Sequence, residues 1–311
     1  MSALGGILRG LVHRLGLATR DEMAANTALL SEKLDRYAAE IAIRQEAQTR
    51  AARAGGAAVH AGVVVATEVD GFILGIPAEE WRLAAYCAFR GTPEPGMTRA
   101  FEAAVRPGMT VVDVGAHIGI YTLSAARLAG PGGKVFSFEP APRSFQLLRD
   151  NVQVNGLLES GRIVLDGRAV SDRSGPAALH LYANDSGHNS FYPDGRPAET
   201  IHVETVALDE ALPPGARVDV VKMDAEGAEP LILRGMRRVI ADNPKLVVFL
   251  EFAPCHLRRA AASPEAFLEE IAGLGFQALL VDEPGGGLRP APADELCAAF
   301  SVNLRLQRKL A

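Results

Sequence analysis

No uninterrupted apolar run of about 18 residues exists in this 311-residue chain, so no transmembrane helix is expected. Cysteine is scarce: Cys87, Cys255 and Cys297 are odd in number and far apart. They fit neither a disulfide framework nor a C-x-x-C metal site, and suit small core residues in a reducing compartment. A basic excess is missing too, since 32 Lys and Arg face 37 Asp and Glu for a net charge of −5. A chain balanced in this way offers no polycation to nucleic acid. The start, MSALGGILRGLVHRLGLATR, is apolar, but Arg9, His13 and Arg14 interrupt it and no small-residue cleavage site follows. The expectation is a cytoplasmic protein without a signal peptide. No internal repeat or low-complexity tract stands out.

What is present is an apolar fraction of 48% beside 22% charged residues, the balance of a soluble globular protein with a large core. The length suggests a main domain with an accessory segment. Residues 1–55 read as a helical arm. Leu4, Leu8, Leu11 and Leu15 fall at 4-3-4 spacing, and Leu30, Leu34, Tyr37 and Ile41 repeat it in a heptad-like, coiled-coil-like stripe. The first 20 residues hold three Arg and no acid. Such an arm suits a homo-oligomer contact, a membrane surface, or packing on its own domain. ARAGGAA, residues 52–58, reads as the linker.

Residues 56–108 read as a hairpin and a helix leading into the core. Two β-rich runs flank Asp70-Gly71, a favoured hairpin turn pair, and PEPGMTRAFEAAV predicts the helix. Trp81, Tyr86 and Phe89, at near-helical spacing, read as core. From residue 109 to 311 strands and helices alternate, which predicts an α/β domain with a parallel sheet covered on both faces. The expected strands are 110–115, 134–139, 162–166, 218–224, 245–252, 276–282 and 298–307. A β-rich insertion between the third and fourth is too long for a simple crossover and predicts extra strands or a flap over the site. DEPGGGLRPAPADE separates the last two strands, and RLQRK, residues 305–309, reads as a solvated basic tail.

In an open α/β sheet, ligands bind outside the carboxyl ends of the strands. Four strands here end in acids: Asp113 before Gly115-x-x-x-Gly119, Glu139 in FSFEP, Asp224 in KMDAEGAE, and Glu251 in FLEF. The glycine spacing is wrong for a dinucleotide fingerprint, and Asp113 would repel a phosphate. The same acid would attract a cationic ligand, while a strand-two acid is placed to accept ribose hydroxyls. Together they suit S-adenosylmethionine. A purely structural strand–helix turn is the competing reading of the glycine motif alone.

RPGMTVVDVGAHIGIYT, VFSFEPAPRSFQLLRDNVQVNGL, AVSD, LDEAL and VDVVKMDAEGAEPLILRGM, in this order, resemble the FkbM-type methyltransferases over roughly residues 90–255. The most specific pieces are FEP-x-P with the later Asn151 and Asn155, and D-x-EGAE followed by L-x-G. The resemblance implies a Rossmann-like class I sheet, mostly parallel with seven strands and the last antiparallel. It also implies an S-adenosylmethionine-dependent O-methyltransferase of a secondary-metabolite or polysaccharide pathway. By position, Asp113, Gly115 and Gly119 would cradle the methionine moiety, with His117 in the same turn where the family more often has Asn. Glu139 would bind the ribose, Ala169 and Val170 would flank the adenine, and Asp224 would face the methyl group and the acceptor.

A hydroxyl acceptor must lose a proton, which calls for a base or a metal. Asp224 is the first candidate base. Glu226 and Glu229 follow it, Glu229 being equally a helix-start acid. His188 of the insertion is an alternative base, or else a surface-loop histidine. Asp224 and Glu251, on adjacent strand ends, are a candidate pair of Mg²⁺ ligands. The expected acceptor is a small molecule or a glycan hydroxyl. The alternatives are a lipid-linked glycan at a membrane surface, with the arm as anchor, and a non-catalytic scaffold that binds S-adenosylmethionine.

Overall fold

The structure, a computed structural model, describes residues 63–69, 72–77, 80, 83, 84, 87, 92–183, 185–283 and 285–308. The expected arm at 1–55, its linker, and Trp81, Tyr86 and Phe89 lie outside the described residues.

The expected hairpin forms as β1 (Val63–Val69) paired antiparallel with β2 (Phe72–Pro77). A helix over Pro95–Ala104 follows, as its sequence predicts. The main sheet then builds from β3 (Thr110–Val114), β4 (Lys134–Phe138) and β5 (Ile163–Asp166). An inserted sheet follows, made of β6 (Ala169–Val170), β7 (Gly175–Leu181) and β8 (Glu199–Val206) in the order β6-β8-β7. The main sheet resumes with β9 (Val220–Met223), β10 (Val247–Phe252), β11 (Phe276–Val281), β12 (Leu288–Arg289) and β13 (Val302–Arg308). Among the described residues its order is β12-β11-β13-β10-β9-β3-β4-β5. The five strands from β10 to β5 run parallel, and β13 runs antiparallel to both β10 and β11.

The β-branched pairs Val111-Val112 and Val220-Val221 explain why these strands are central. Alternate side chains point to opposite faces, and both faces are covered. Val111 and Val112 are each fully buried yet belong to different apolar clusters, one on each side of the sheet. The helices between strands carry their own start signals: those beginning at Pro95, Pro142, Pro254 and Pro264 place proline at the first helical turn, where a missing N–H costs nothing. Among the described residues no helix is long and apolar enough to cross a membrane.

Three expectations need correction. The Gly/Pro-rich segment after β11 does more than separate strands. It contributes the short edge strand β12 and a helix over Ala293–Ala298, so the last strand begins at Val302 rather than 298. RLQRK is no solvated tail: Arg305–Arg308 belong to β13, paired on both sides, with Leu304 and Leu306 fully buried. Its charges drew attention from the period-2 leucines between them. Arg308 spends its charge inside, on the Leu274 carbonyl and over the Phe276 ring. Finally, of the cysteines only Cys87 is buried, its thiol pushed up to about 12 by burial; Cys255 is exposed and Cys297 half-buried.

Candidate active site

The strand order reverses between β3 and β9, and a crevice opens there at the carboxyl ends of the strands. It encloses a cavity of about 420 Å³, within the range of small-ligand pockets. One wall is the turn after β3, from Val114 to Ile118; others are Phe138–Pro140, the β6 pair Ala169 and Val170, the loop 185–191, and Lys222 to Ala228. Glu80 and Thr92–Glu94 close it from the N-terminal side. Among the described residues, six lining side chains are acids: Glu80, Glu94, Glu139, Asp185, Asp224 and Glu226. Lys222 is the fixed cation among them. The surplus of carboxylates favours a cationic ligand by Coulomb attraction.

The turn after β3 is shaped by three residues in left-handed backbone, Gly115 (φ 71), His117 (φ 51) and Gly119 (φ 98). Gly115 lines the cavity, but its glycine is required by the neighbouring strand: a Cβ there would collide with the Asp224 carbonyl oxygen. Gly119 does not line the cavity. It caps the helix over Ile120–Ala129, where a Cβ would press on Leu148. The expected methionine cradle thus reduces, for the two glycines, to close packing around a turn that Gly115 and His117 present. His117 occupies a left-handed conformation, which Asn, Asp and His adopt more readily than other non-glycine residues.

Glu139 stands at the end of β4 on the cavity wall. Its two oxygens accept from the backbone N–H groups of His117 (2.8 Å) and Ala141 (2.9 Å), tying the two turns together. Burial nevertheless pushes its carboxyl up to about 7. Each oxygen keeps a second lone pair, so the expected ribose contact remains available.

Asp113 departs from the expectation. It is fully buried and does not reach the cavity; it lies beside Lys222 in the β3–β9 register. Oδ2 accepts from Thr122 Oγ1 at 2.7 Å, which also contacts Ser137 Oγ at 2.8 Å, while Oδ1 has no hydrogen-bond partner among the described residues. Lys222 is the residue that sequence reasoning passed over. It is 4% exposed, donates to Asp224 Oδ2 at 3.3 Å, and lies 4.8 Å from the Tyr121 ring centroid. A lysine amid VDVVKM was the available signal, because a cation in a buried strand needs anionic partners. Burial would discharge it, but Asp224, Asp113 and Glu94 outweigh that and hold its pKa up. Asp224 itself is one-third exposed at the cavity wall, its side chain directed by this ion pair.

The insertion closes over the site as expected. Its turn Ser186–His188 is held at two points: Ser186 N–H donates to Glu80 Oε1 (2.7 Å), and Ser186 Oγ meets His117 Nε2 (2.7 Å). Ser190 Oγ adds a third, donating to the Glu226 carbonyl at 2.8 Å. His117 therefore has a task the sequence did not reveal, as an anchor for the flap. His188 lines the cavity but is half-exposed and bonded to Asp185 at 2.8 Å.

Glu229 is not a cavity residue. It accepts from the Ala225 and Gly227 N–H groups at 2.8 and 3.0 Å, bracing the loop after β9. Glu226 lines the cavity from that loop at φ 54, and burial, with Asp224 and Glu251 nearby, raises its pKa. Asp224 of the expected Mg²⁺ pair contacts Lys222 at 3.3 Å and is not part of a three-ligand cluster among the described residues. Among the described residues, the groups brought within ligand distance are Glu226, Glu251 and His256.

A parallel sheet reversing at β3, with an antiparallel strand seated beside β10 and an acidic crevice at the switch point, is that of a class I Rossmann-like methyltransferase. A family model described as the methyltransferase FkbM domain matches residues 113–278, more than half of the chain. The chain belongs to this family. It is 41% identical over 90 residues to the 31-O-demethyl-FK506 methyltransferase FkbM of Streptomyces tacrolimicus, across 29% of this chain and 33% of that one. It is 28% identical over 191 residues to methyltransferase sdnD of Sordaria araneosa, across 51% of this chain and 71% of the relative. Among solved structures, a methyltransferase FkbM from Methylobacillus flagellatus aligns at a TM-score of 0.41 and 17% identity, over 73% of this chain and 54% of that one. The match thus spans a third of the first relative's length.

Proposed function

We propose that this chain transfers a methyl group from S-adenosylmethionine to a hydroxyl of a small metabolite or sugar. The observation that carries the reading is the acid-lined cavity at the switch point, with Glu139 at one strand end and the Lys222–Asp224 pair at another. Bound there, S-adenosylmethionine would supply an electrophilic methyl on a sulfonium. The carboxylates suit its cationic groups, and Phe138, Ala169 and Val170 offer apolar surface for its base. Positioning accounts for much of the rate in an in-line displacement, and the flap pinned by Glu80 and His117 serves it by excluding water. Asp224 takes the acceptor's proton, its side chain aimed by Lys222 Nζ. The O-methylation named in the Streptomyces relative agrees with a hydroxyl acceptor.

Thermal unfolding with S-adenosylmethionine or its demethylated product tests the cofactor: a ligand of the folded state raises the midpoint by mass action. No shift at millimolar ligand would remove the proposal. Asp224→Asn should keep that shift and lose about 10²- to 10⁴-fold in turnover, the usual worth of a general base. Loss of the shift itself would mean that Asp224 serves the cofactor.

A further inference from the structure

Three ligand-type side chains converge behind the cavity wall from three separate elements. Glu226 comes from the loop after β9, Glu251 from β10, and His256 from the first turn of the helix Pro254–Arg259. One donor atom from each lies within 4.8 Å of the other two. His256 Nδ1 is 3.1 Å from Glu226 Oε2 and 3.7 Å from Glu251 Oε2. These contacts do not satisfy the atoms. Glu226 is 7% exposed, and its Oε2 and the facing His256 Nδ1 are buried without a hydrogen-bond partner among the described residues. A buried carboxylate oxygen and a ring nitrogen that face each other at 3.1 Å without a hydrogen bond can share an electropositive partner.

The surroundings hold the donors in that direction. Ser301 Oγ donates to Glu251 Oε1 at 2.5 Å, which leaves Oε2 facing the cluster. The Glu229 carboxylate braces the loop that carries Glu226, through Ala225 and Gly227. Such outer contacts are what orient metal ligands. Arg259, whose charge opposes the burial-driven rise of the Glu226 pKa and adds to the burial-driven fall of that of His256, makes no hydrogen bond to Glu226 Oε2 or His256 Nδ1. Its Nη2 is 3.4 Å from the Glu226 backbone carbonyl and its Nη1 is 3.9 Å from Asp194.

We propose that Glu226, Glu251 and His256 form a three-point site for a divalent transition cation, Zn²⁺ or Mn²⁺. An imidazole with two carboxylates suits these ions better than Mg²⁺, which prefers oxygen and retained water. Ligands about 2.0–2.2 Å from one centre stand up to about 4.3 Å apart, so a small side-chain rotation closes the set. The site borders the cavity through Glu226 and does not depend on methyl transfer.

The test is calorimetric titration of Zn²⁺ into the chelator-treated, dialysed full chain, with Mn²⁺ followed by loss of its free-ion paramagnetic resonance signal. One equivalent of either ion should bind. Glu251→Gln and His256→Gln should each weaken that binding by about tenfold or more, with circular dichroism unchanged. No saturable binding of either ion by the wild-type chain would overturn the proposal, as would undiminished binding in the double variant. Should the variants misfold, crystals of the wild type soaked in Zn²⁺ decide: an anomalous peak among the three side chains supports the site, and peaks only elsewhere refute it.

Discussion

Gly115 shows how tightly the site's turn is specified by its neighbours. It needs left-handed backbone and also a bare Cα against the Asp224 carbonyl, so it joins the ends of β3 and β9. Gly115→Ala is therefore expected to cost more than about 2 kcal/mol, from backbone strain plus the displaced strand end, measurable by denaturant titration. A variant within experimental error of the wild type would show that the two strand ends are not packed as described. The same scale shows what was legible. Glu139 and Asp224 could be read from the sequence because strand-end acids follow from topology. Asp113 could not, because its side chain turns into the sheet's face beside Lys222, and direction depends on a register that one strand does not reveal. Glu226 was visible only as one of several acids; its pairing with His256 joins elements that no local pattern connects.

Among elements, the hairpin is fastened to the domain by two side chains of the helix Pro142–Val154 and its cap. Asn151 bonds both backbone groups of Gly75 and the Ile118 carbonyl, and Asn155 bonds both backbone groups of Ile73. These asparagines were noticeable as a motif, but their partners lie 76 and 82 residues away, so their purpose was not. Asn151→Ala leaves three backbone groups without their partner, the buried Ile118 carbonyl and both groups of the half-buried Gly75, and should cost about 1–3 kcal/mol. Hydrogen exchange should locate the loss at residues 72–77; acceleration spread evenly over the domain would argue against a clamp. The insertion follows the same logic. Its length announced extra strands, whereas the points that pin it, Ser186 on Glu80 and His117, required the folded chain.

For the whole molecule, two buried acids give stability a definite pH dependence. Burial, against opposing backbone hydrogen bonds, raises both Glu139 and Glu229 from 4.5 to about 7. An acid with a raised folded pKa binds its proton more tightly when folded. Its contribution is complete below pH 4.5 and is lost as pH rises to about 7. Relative to a Glu139→Gln, Glu229→Gln double variant, the wild type should lose on the order of 1–3 kcal/mol per group across that window. Urea midpoints at several pH values check this, and parallel curves would refute it. Most of the sheet was readable at this scale because βα alternation dictates parallel neighbours. The antiparallel last strand came from family resemblance, and β12, two residues long, carries too little pattern to be seen.

The seat of β13 has a consequence for synthesis. Last of the described strands to leave the ribosome, it fills an interior place between β10 and β11. Until residue 302 emerges, the nascent sheet holds two unsatisfied edges face to face, each able to recruit a β-strand from another chain. A chain truncated before residue 302 is therefore expected to aggregate, which light scattering would show.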